Sequence, residues 1–230
     1  MNSMTRICAV SVAALLLVVS CQDLFTSSIG GPFERDSPPI SSSASLGTLV
    51  TIAQTPDWAS DPETAATVLD ILANKDEATL LALSVDDQTA ILNLAASAAI
   101  GTTTIANLAN EATQPGAVVE DLVEAALQSF DGSVNLAAIE SLLGNAATVS
   151  AAPAESLAMA AAVLVGDVAN DLGADVAMAA LDGNMTGLDA AQIDKINLAR
   201  AVLAELEGRP AGEGSVTLGD FDLLDLLRGN

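Results

Sequence analysis

Pairs of carboxylates are the first side chains of this sequence whose spacing indicates chemistry, because glycoside hydrolysis requires two carboxylates that face a sugar. Three pairs occur, which are Asp86 with Asp87, Glu120 with Glu124, and Asp222 with Asp225. A sugar cleft usually adds aromatic platforms, yet only 2% of the 230 residues are aromatic. The Asp86 pair also stands where a helix is predicted to begin, and acidic side chains there complement the helix dipole. We therefore expect no catalytic role for these pairs.

The composition excludes further classes of function. The chain has no His, and hence neither a Ser-His-Asp triad nor an imidazole metal ligand. Seven Lys and Arg against 30 Asp and Glu give a formal net charge of −23, which repels phosphate backbones. With no Tyr and one Trp, little aromatic surface is left for stacking bases. We expect a protein that is not an enzyme and has no nucleic-acid partner, with a charge that mainly solubilises its surface.

One loop places oxygen-bearing side chains at alternate positions and is a candidate calcium site. Its candidate ligands are Asp182, Asn184, Thr186 and Asp189. The segment resembles an EF-hand or dockerin-type loop, in which oxygens alternate and a glycine occupies the sharp turn. It departs from that pattern because Thr186 stands where Asp is usual and the loop is one residue short before Leu188. Ordinary turn and helix-cap chemistry accounts for the same residues, so both interpretations stay open.

The N-terminus combines a short apolar run with a cysteine. Residues 7–19 are apolar except for Ser11 and follow the single base Arg6. This run is too short to cross a bilayer as a helix, which takes about 20 residues, and is typical of a secretory signal. It ends in Val18-Val19-Ser20-Cys21, which resembles the lipobox of bacterial lipoproteins: aliphatic, small or aliphatic, small, then Cys. The resemblance covers only the first 21 residues or so.

This resemblance implies a lipid anchor on Cys21. In lipoproteins the thiol takes up a diacylglyceryl group, the signal is removed before the cysteine, and the new amine usually receives a third acyl chain. Two or more chains give stable anchoring, so the membrane becomes a partner through Cys21. The expected location is the bacterial cell envelope, facing the periplasm or the exterior. Because Cys8 leaves with the signal, the mature chain keeps no disulfide and no thiolate zinc site. The alternative is an ordinary cleaved signal peptide with an incidental cysteine.

Three regions follow from these patterns. Residues 1–20 are predicted to be the signal peptide, residues 21–45 the lipidated cysteine and a disordered tether, and residues 46–230 an all-helical domain. The tether contains Gly30-Gly31-Pro32 and Ser37-Pro38-Pro39, and it shows no sustained hydrophobic period. Phe25 and Phe33 within it could enter the membrane interface or dock on the domain, and the sequence does not decide between these.

The domain is predicted to be all-α, because Ala and Leu dominate its apolar residues and are strong helix formers. We expect a compact multi-helix bundle or an irregular helical array of seven to nine short helices. Caps, prolines and glycines delimit the segments 62–72, 76–83, 84–100, 104–112, 115–127, 136–143, 154–165, 188–206 and 220–227. The segment 154–165 is apolar all round and is predicted to be a buried central helix, with Gly166 and Gly173 interrupting the pattern after it.

The remaining large apolar side chains have two interpretations each. Trp58 is expected to be a plug over the core rather than a clamp for a ligand. Met159, Met178 and Met185 are expected to fill gaps in the core, although they could instead line an apolar pocket.

The leading functional hypothesis is a lipid-anchored envelope protein whose helical domain is a non-enzymatic scaffold or protein-interaction module. The alternative is a carrier or sensor that binds a small lipophilic ligand in an apolar pocket between Ala-rich helices. A carrier requires an enclosed apolar cavity, whereas a scaffold requires an exposed groove or patch.

Overall fold

The computed structural model of the protein describes residues 40–100, 129–210, 217–218 and 221–222. Within these ranges the chain forms ten α-helices, which confirms the all-α prediction. The number exceeds the expected seven to nine because four of the helices were not predicted from the sequence, namely those at Leu46–Ala53, Pro56–Ala59, Ala146–Ala151 and Ala174–Leu181. In chain order the helices are α1 (Leu46–Ala53), α2 (Pro56–Ala59), α3 (Pro62–Ala73), α4 (Glu77–Leu81), α5 (Val85–Ile100), α6 (Ala137–Leu143), α7 (Ala146–Ala151), α8 (Ala154–Leu172), α9 (Ala174–Leu181) and α10 (Ala190–Gly208).

Helix starts follow the predicted caps closely. The carboxylate of Asp61 accepts a hydrogen bond from the Thr64 amide at 2.9 Å, and Pro62 occupies the first turn of α3. The Ser84 hydroxyl accepts from the Asp87 amide at 3.2 Å and begins α5 in the same way. These short polar side chains pair with amides that have no partner within the helix, so local sequence fixes where the helices begin.

Helix α8 lies at the centre of the fold. It packs most extensively against α10 and α5, while α5 also packs against α3, so these four helices form successive neighbours through the core. Their fully buried side chains include Leu72 of α3, Leu94 of α5, Leu164 of α8 and Ile196 of α10. The prediction that α8 is a buried central helix is therefore confirmed.

The length of α8 differs from the predicted segment 154–165. The helix continues through Gly166 and ends only at Gly173, whose φ of +93° is the left-handed conformation that favours glycine. The helix continues through Gly166 without a break. The lack of a side chain at this position lets the ring of Phe130 approach the helix backbone, since a Cβ there would collide with that ring. Both Gly166 and Gly173 were predicted to interrupt the helix, but Gly173 ends it through its backbone conformation, whereas Gly166 makes room for a neighbouring ring.

The C-terminal end of the described chain corrects one prediction. Instead of a helix over 220–227, residues 221–222 form a strand β2 (Phe221–Asp222) that pairs antiparallel with β1 (Thr217–Leu218). In the sequence, Gly219 stands at the predicted start of that helix, and glycine is disfavoured within helices. Residues 223–227 lie outside the described residues.

Several predictions fall on parts of the chain that the structure does not describe. These are the signal peptide, Cys21 and the tether up to residue 39, and the predicted helices 104–112 and 115–127. Among the helices of the described ranges, none combines the length and the apolar character that a membrane span needs.

Candidate functional site

The predicted calcium loop connects α9 to α10. Asp182 follows the last residue of α9, and the Asn184 side-chain oxygen accepts from the Thr186 amide at 3.2 Å. Asp189 accepts from the Gln192 amide at 2.9 Å, and the Gln192 side chain accepts from the Asp189 amide at 3.0 Å, which makes a capping box. The side chains of Asn184 and Asp189 therefore already serve the backbone.

This geometry is that of a turn followed by a helix cap. Gly183 and Gly187 have φ of +101° and +91°, the left-handed conformation that sharp turns use. Within the described residues, no group of three or more His, Cys, Asp or Glu side chains is placed to hold a metal ion. Calcium binding through Asp182, Asn184, Thr186 and Asp189 stays a prediction, and the capping interpretation is the one that the hydrogen bonds support.

The carboxylate pairs are not brought together into a cleft by the part of the chain that the structure describes. Asp86 and Asp87 lie in the first turn of α5, as predicted, and Asp87 accepts from the Gln54 side chain at 2.7 Å. Glu120 and Glu124 lie outside the described residues, as do Asp225 and the side chain of Asp222.

The single-turn helix α2 carries Trp58, the only tryptophan of the chain. Trp58 is partly buried and packs against the core, as the plug interpretation predicts. None of the four residues of α2 is fully buried, and its N-cap Thr55 makes no side-chain hydrogen bond to the helix. This element is therefore held mainly by its neighbours α1 and α3.

Two recesses flank α2, and both open to solvent. The first, here called the Trp58 recess, has a volume of about 460 Å³ and is lined mainly by Ile40, Ala44, Thr48, Thr51, Ile52 and Trp58. The second, here called the Thr89 recess, has a volume of about 320 Å³ and has polar lining from Gln54, Ser60, Asp86, Thr89, Asn93 and Ser97. The first is apolar in character, whereas the second offers hydroxyl, amide and carboxylate groups.

One lining residue of each recess carries a buried polar atom that lacks a partner within the described residues. Within the described residues, neither the Trp58 indole nitrogen Nε1 nor the Thr89 hydroxyl Oγ1 makes a hydrogen bond. A buried polar group without a partner costs about 1–3 kcal/mol, so both atoms are unfavourable features of the packing around these two residues. The sequence indicated Trp58 only as a plug, and it gave no signal for Thr89, which is one hydroxyl among many on helices.

The three methionines singled out in the sequence contribute to the hydrophobic core. Met159 and Met178 are buried in the core and Met185 packs against it, which confirms the gap-filling interpretation.

Lys195 of α10 donates to Asp167 of α8 at 2.6 Å and lies 3.8 Å from Glu140 of α6. One ammonium group thus joins three helices.

The titration of this cluster follows from burial and charge. Burial raises the pKa of Glu140, and the nearby charge of Lys195 offsets this only in part. Burial works against the charge of Lys195, but the hydrogen bond to Asp167 and the charges of Asp167 and Glu140 outweigh it and raise the Lys195 pKa. The Lys195–Asp167 pair is therefore the stabilising contact, and ionised Glu140 is held at a cost.

No family model, no curated protein and no solved structure matches this chain. Within the described residues, α2 and its two recesses form the candidate functional site.

Replacing Asp189 by Ala tests whether the loop 182–189 caps a helix or holds calcium. We expect a loss of about 1 kcal/mol in the free energy of unfolding, since the cap of α10 is removed, and a much smaller loss for Asp189→Asn. Urea unfolding in EDTA and in calcium chloride should give the same loss. A parent protein that gains stability from calcium while the Ala variant does not would show that the loop is a calcium site.

The substitutions Glu140→Gln and Asp167→Asn should distinguish what each of the two carboxylates beside Lys195 contributes to the free energy of unfolding. Because the pKa of Glu140 is higher in the folded protein than in the unfolded chain, its contribution to the free energy of unfolding is fully present below the ordinary Glu pKa. This contribution is lost as the pH rises through the pKa of Glu140 in the folded protein. Glu140→Gln should therefore be at least as stable as the parent at pH 7, with that advantage vanishing in acid. Asp167→Asn should lose about 1–2 kcal/mol at pH 7, because Lys195 then keeps only a distant partner.

The measurement is the urea midpoint of both variants and the parent from pH 4 to pH 8. The assignment is wrong if Glu140→Gln is the less stable protein at pH 7 and catches up with the parent as the pH falls.

Proposed function

We propose that this protein is a lipid-anchored component of the bacterial cell envelope whose helical domain is a non-enzymatic scaffold or protein-interaction module. The observation that carries the proposal is the placement of Cys21, directly after Val18-Val19-Ser20 and at the end of the apolar run 7–19. Acyl chains on this sulfur supply the membrane affinity, since each buried CH₂ contributes about 0.8 kcal/mol.

The separation between anchor and domain supports this arrangement. Nineteen residues lead from Cys21 to Ile40, the residue at which the described part of the chain begins. A fully extended chain spans at most about 3.3–3.6 Å per residue, so the domain can lie up to roughly 65 Å from its anchor. That reach is enough for the domain to meet partners beyond the lipid headgroups.

A binding role is favoured over catalysis by the groups that the candidate site offers. Among the described residues that line it, the Thr89 recess has hydroxyl and amide groups and the carboxylate of Asp86, and none of these residues is basic. Such a lining recognises neutral or cationic groups through hydrogen bonds, and among its described residues Asp86 is the single side chain that could act as a general acid or base. The net charge of −23 favours the same kind of partner.

A carrier of small lipophilic molecules is the second candidate function. The Trp58 recess favours it, because its volume of about 460 Å³ lies within the range of small-molecule sites and its walls are largely apolar. The recess opens to solvent, however, and a lipophilic ligand in it would keep part of its surface in water. The module is therefore the first candidate.

The anchor is tested by metabolic labelling with a palmitate analogue in a bacterium that processes lipoproteins. Cys21→Ser should abolish the label, because the acylated sulfur is removed. Cys8→Ser is the matched control, since it removes the other cysteine of the chain from within the signal, and it should be labelled like the parent. Equal labelling of Cys21→Ser and the parent would contradict the proposal.

The module and the carrier are separated by photocrosslinking in the intact envelope. Amine-directed reagents suit this chain poorly, because Lys75 and Lys195 are its two lysines and Lys195 lies in an ion pair. A photoreactive residue at Asn93, in the Thr89 recess, should give a discrete protein adduct, whereas one at the exposed Asn197 of α10 should not. A lipophilic mass that remains bound in native mass spectrometry, without any protein adduct, would instead show a carrier.

A further inference from the structure

The Thr89 recess is the space between α2 and α5. Its α5 wall is a row of polar side chains at spacings of three and four residues, which place them on one face of the helix. The facing wall comes from the end of α1 and from α2, and it is mainly apolar. The row on α5 consists of Asp86, Thr89, Asn93 and Ser97, and the facing residues are Ala53, Gln54, Pro56, Ala59 and Ser60.

Asp86 brings a negative charge to this recess that no basic side chain of the described residues compensates. The neighbouring Asp87 accepts from the Gln54 side chain at 2.7 Å, so that hydrogen bond is made by Asp87 and not by Asp86. Lys195 forms the two ion pairs seen among the described residues, and it lies in α10. A cation that enters the recess therefore meets an uncompensated carboxylate.

A lysine side chain matches both walls of the recess. Its stem of four methylenes packs on apolar surface, and its ammonium group has three donors that can rotate. Ala53, Pro56 and Ala90 provide apolar surface, while the carboxylate of Asp86 and the side-chain amide oxygen of Asn93 are acceptors. Arginine fits less well, because its planar fork pairs best with one carboxylate in a bidentate manner, whereas these acceptors belong to separate side chains.

The size of the recess sets what can enter it. Its volume of about 320 Å³ lies at the small end of the range of ligand sites, which is about 300–1,000 Å³. A site of this size takes one long side chain and not a whole helix. The partner therefore presents a single basic side chain to the recess.

We propose that the protein partner of the domain inserts a lysine side chain into the Thr89 recess, with the ammonium group at Asp86 and the stem along Ala53, Pro56 and Ala90. This inference rests on the proposed function for the partner being a protein, and it adds the chemistry that the partner presents. Because Asp86 is exposed, the charge pair alone is weak, so an isolated lysine derivative is expected to bind at millimolar concentrations.

Two other occupants fit this recess less well. A second copy of the chain has two lysines, Lys75 and Lys195, and both are already bonded within the fold. It also brings another −23 charges, which repel the first copy. An anionic bilayer is repelled for the same reason. A basic segment of another protein meets neither obstacle.

Titration of the full chain with Nα-acetyl-lysine amide, followed by ¹⁵N NMR, tests the proposal. The probe should shift the side-chain amide signal of Asn93 in a saturable manner. The norleucine derivative, which has the same stem without the ammonium group, should leave that signal unchanged. Asp86→Asn should weaken binding of the lysine probe about threefold, because it removes the charge and keeps the shape. Raising the salt concentration should weaken binding in the parent as well.

Asp175→Asn is the matched control variant. Asp175 is the second residue of α9, as Asp86 is of α5, and it is exposed but does not line the recess. The control removes the same charge from the same helix position, so it should bind the lysine probe as the parent does.

Three results would overturn the proposal. The first is an equal shift of the Asn93 signal with the norleucine derivative, and the second is equal weakening by Asp175→Asn and Asp86→Asn. The third is a lysine probe that shifts signals elsewhere on the acidic surface and leaves Asn93 unchanged. Each of these contradicts this inference alone, because the labelling of Cys21 and the photocrosslinking test the proposed function separately.

Discussion

The rest of the domain depends on the contact between Gly166, in the middle of α8, and the ring of Phe130. No side chain fits between them, and one turn further along α8 the side chain of Asn170 lies against Gly132 in the same way. The Asp131 amide donates to the Ala99 carbonyl at 2.7 Å, so this segment also reaches the end of α5. Because many buried residues here are alanines, each of which buries little area, short distances between elements must supply the contacts that larger side chains give elsewhere.

The scarcity of basic residues shapes the fold in a second way. In the part of the chain that the structure describes, Lys75, Lys195 and Arg209 each hold together elements that are far apart in sequence. Arg209 donates to the carbonyls of Val149 at 2.6 Å and Ala152 at 3.0 Å, at the end of α7. Because these three cations bind backbone carbonyls or a carboxylate within the fold, they offset little of the negative charge on the described surface.

The side chains that cap helices were predictable from the sequence, whereas the close contacts between elements that are distant in sequence were not. Asp61 and Asp189 begin helices as their types predict, since a side chain bonds to an amide three residues away. Gly166 was predicted to interrupt the helix, because the sequence does not distinguish a glycine that ends a helix from one that allows a neighbouring ring to approach it. The buried atoms of Trp58 and Thr89 that lack partners among the described residues result from tertiary packing, and no spacing within one segment records this. The loop 182–189 was predicted as a candidate calcium site from residue types alone, whereas the side-chain oxygens of Asn184 and Asp189 accept hydrogen bonds from backbone amides in the structure.

Substitution of Gly166 by Ala is the most direct test of this account, with Gly47→Ala as its counterpart. Both glycines lie within helices, but a Cβ at 47 meets open space and a Cβ at 166 meets Phe130. Helix propensity alone raises stability by about 0.5–1 kcal/mol for each change. In urea unfolding we predict that gain for Gly47→Ala and a loss of about 1–3 kcal/mol for Gly166→Ala, because the added methyl overpacks the contact. A gain in stability for Gly166→Ala equal to that of Gly47→Ala would contradict the central role of this contact.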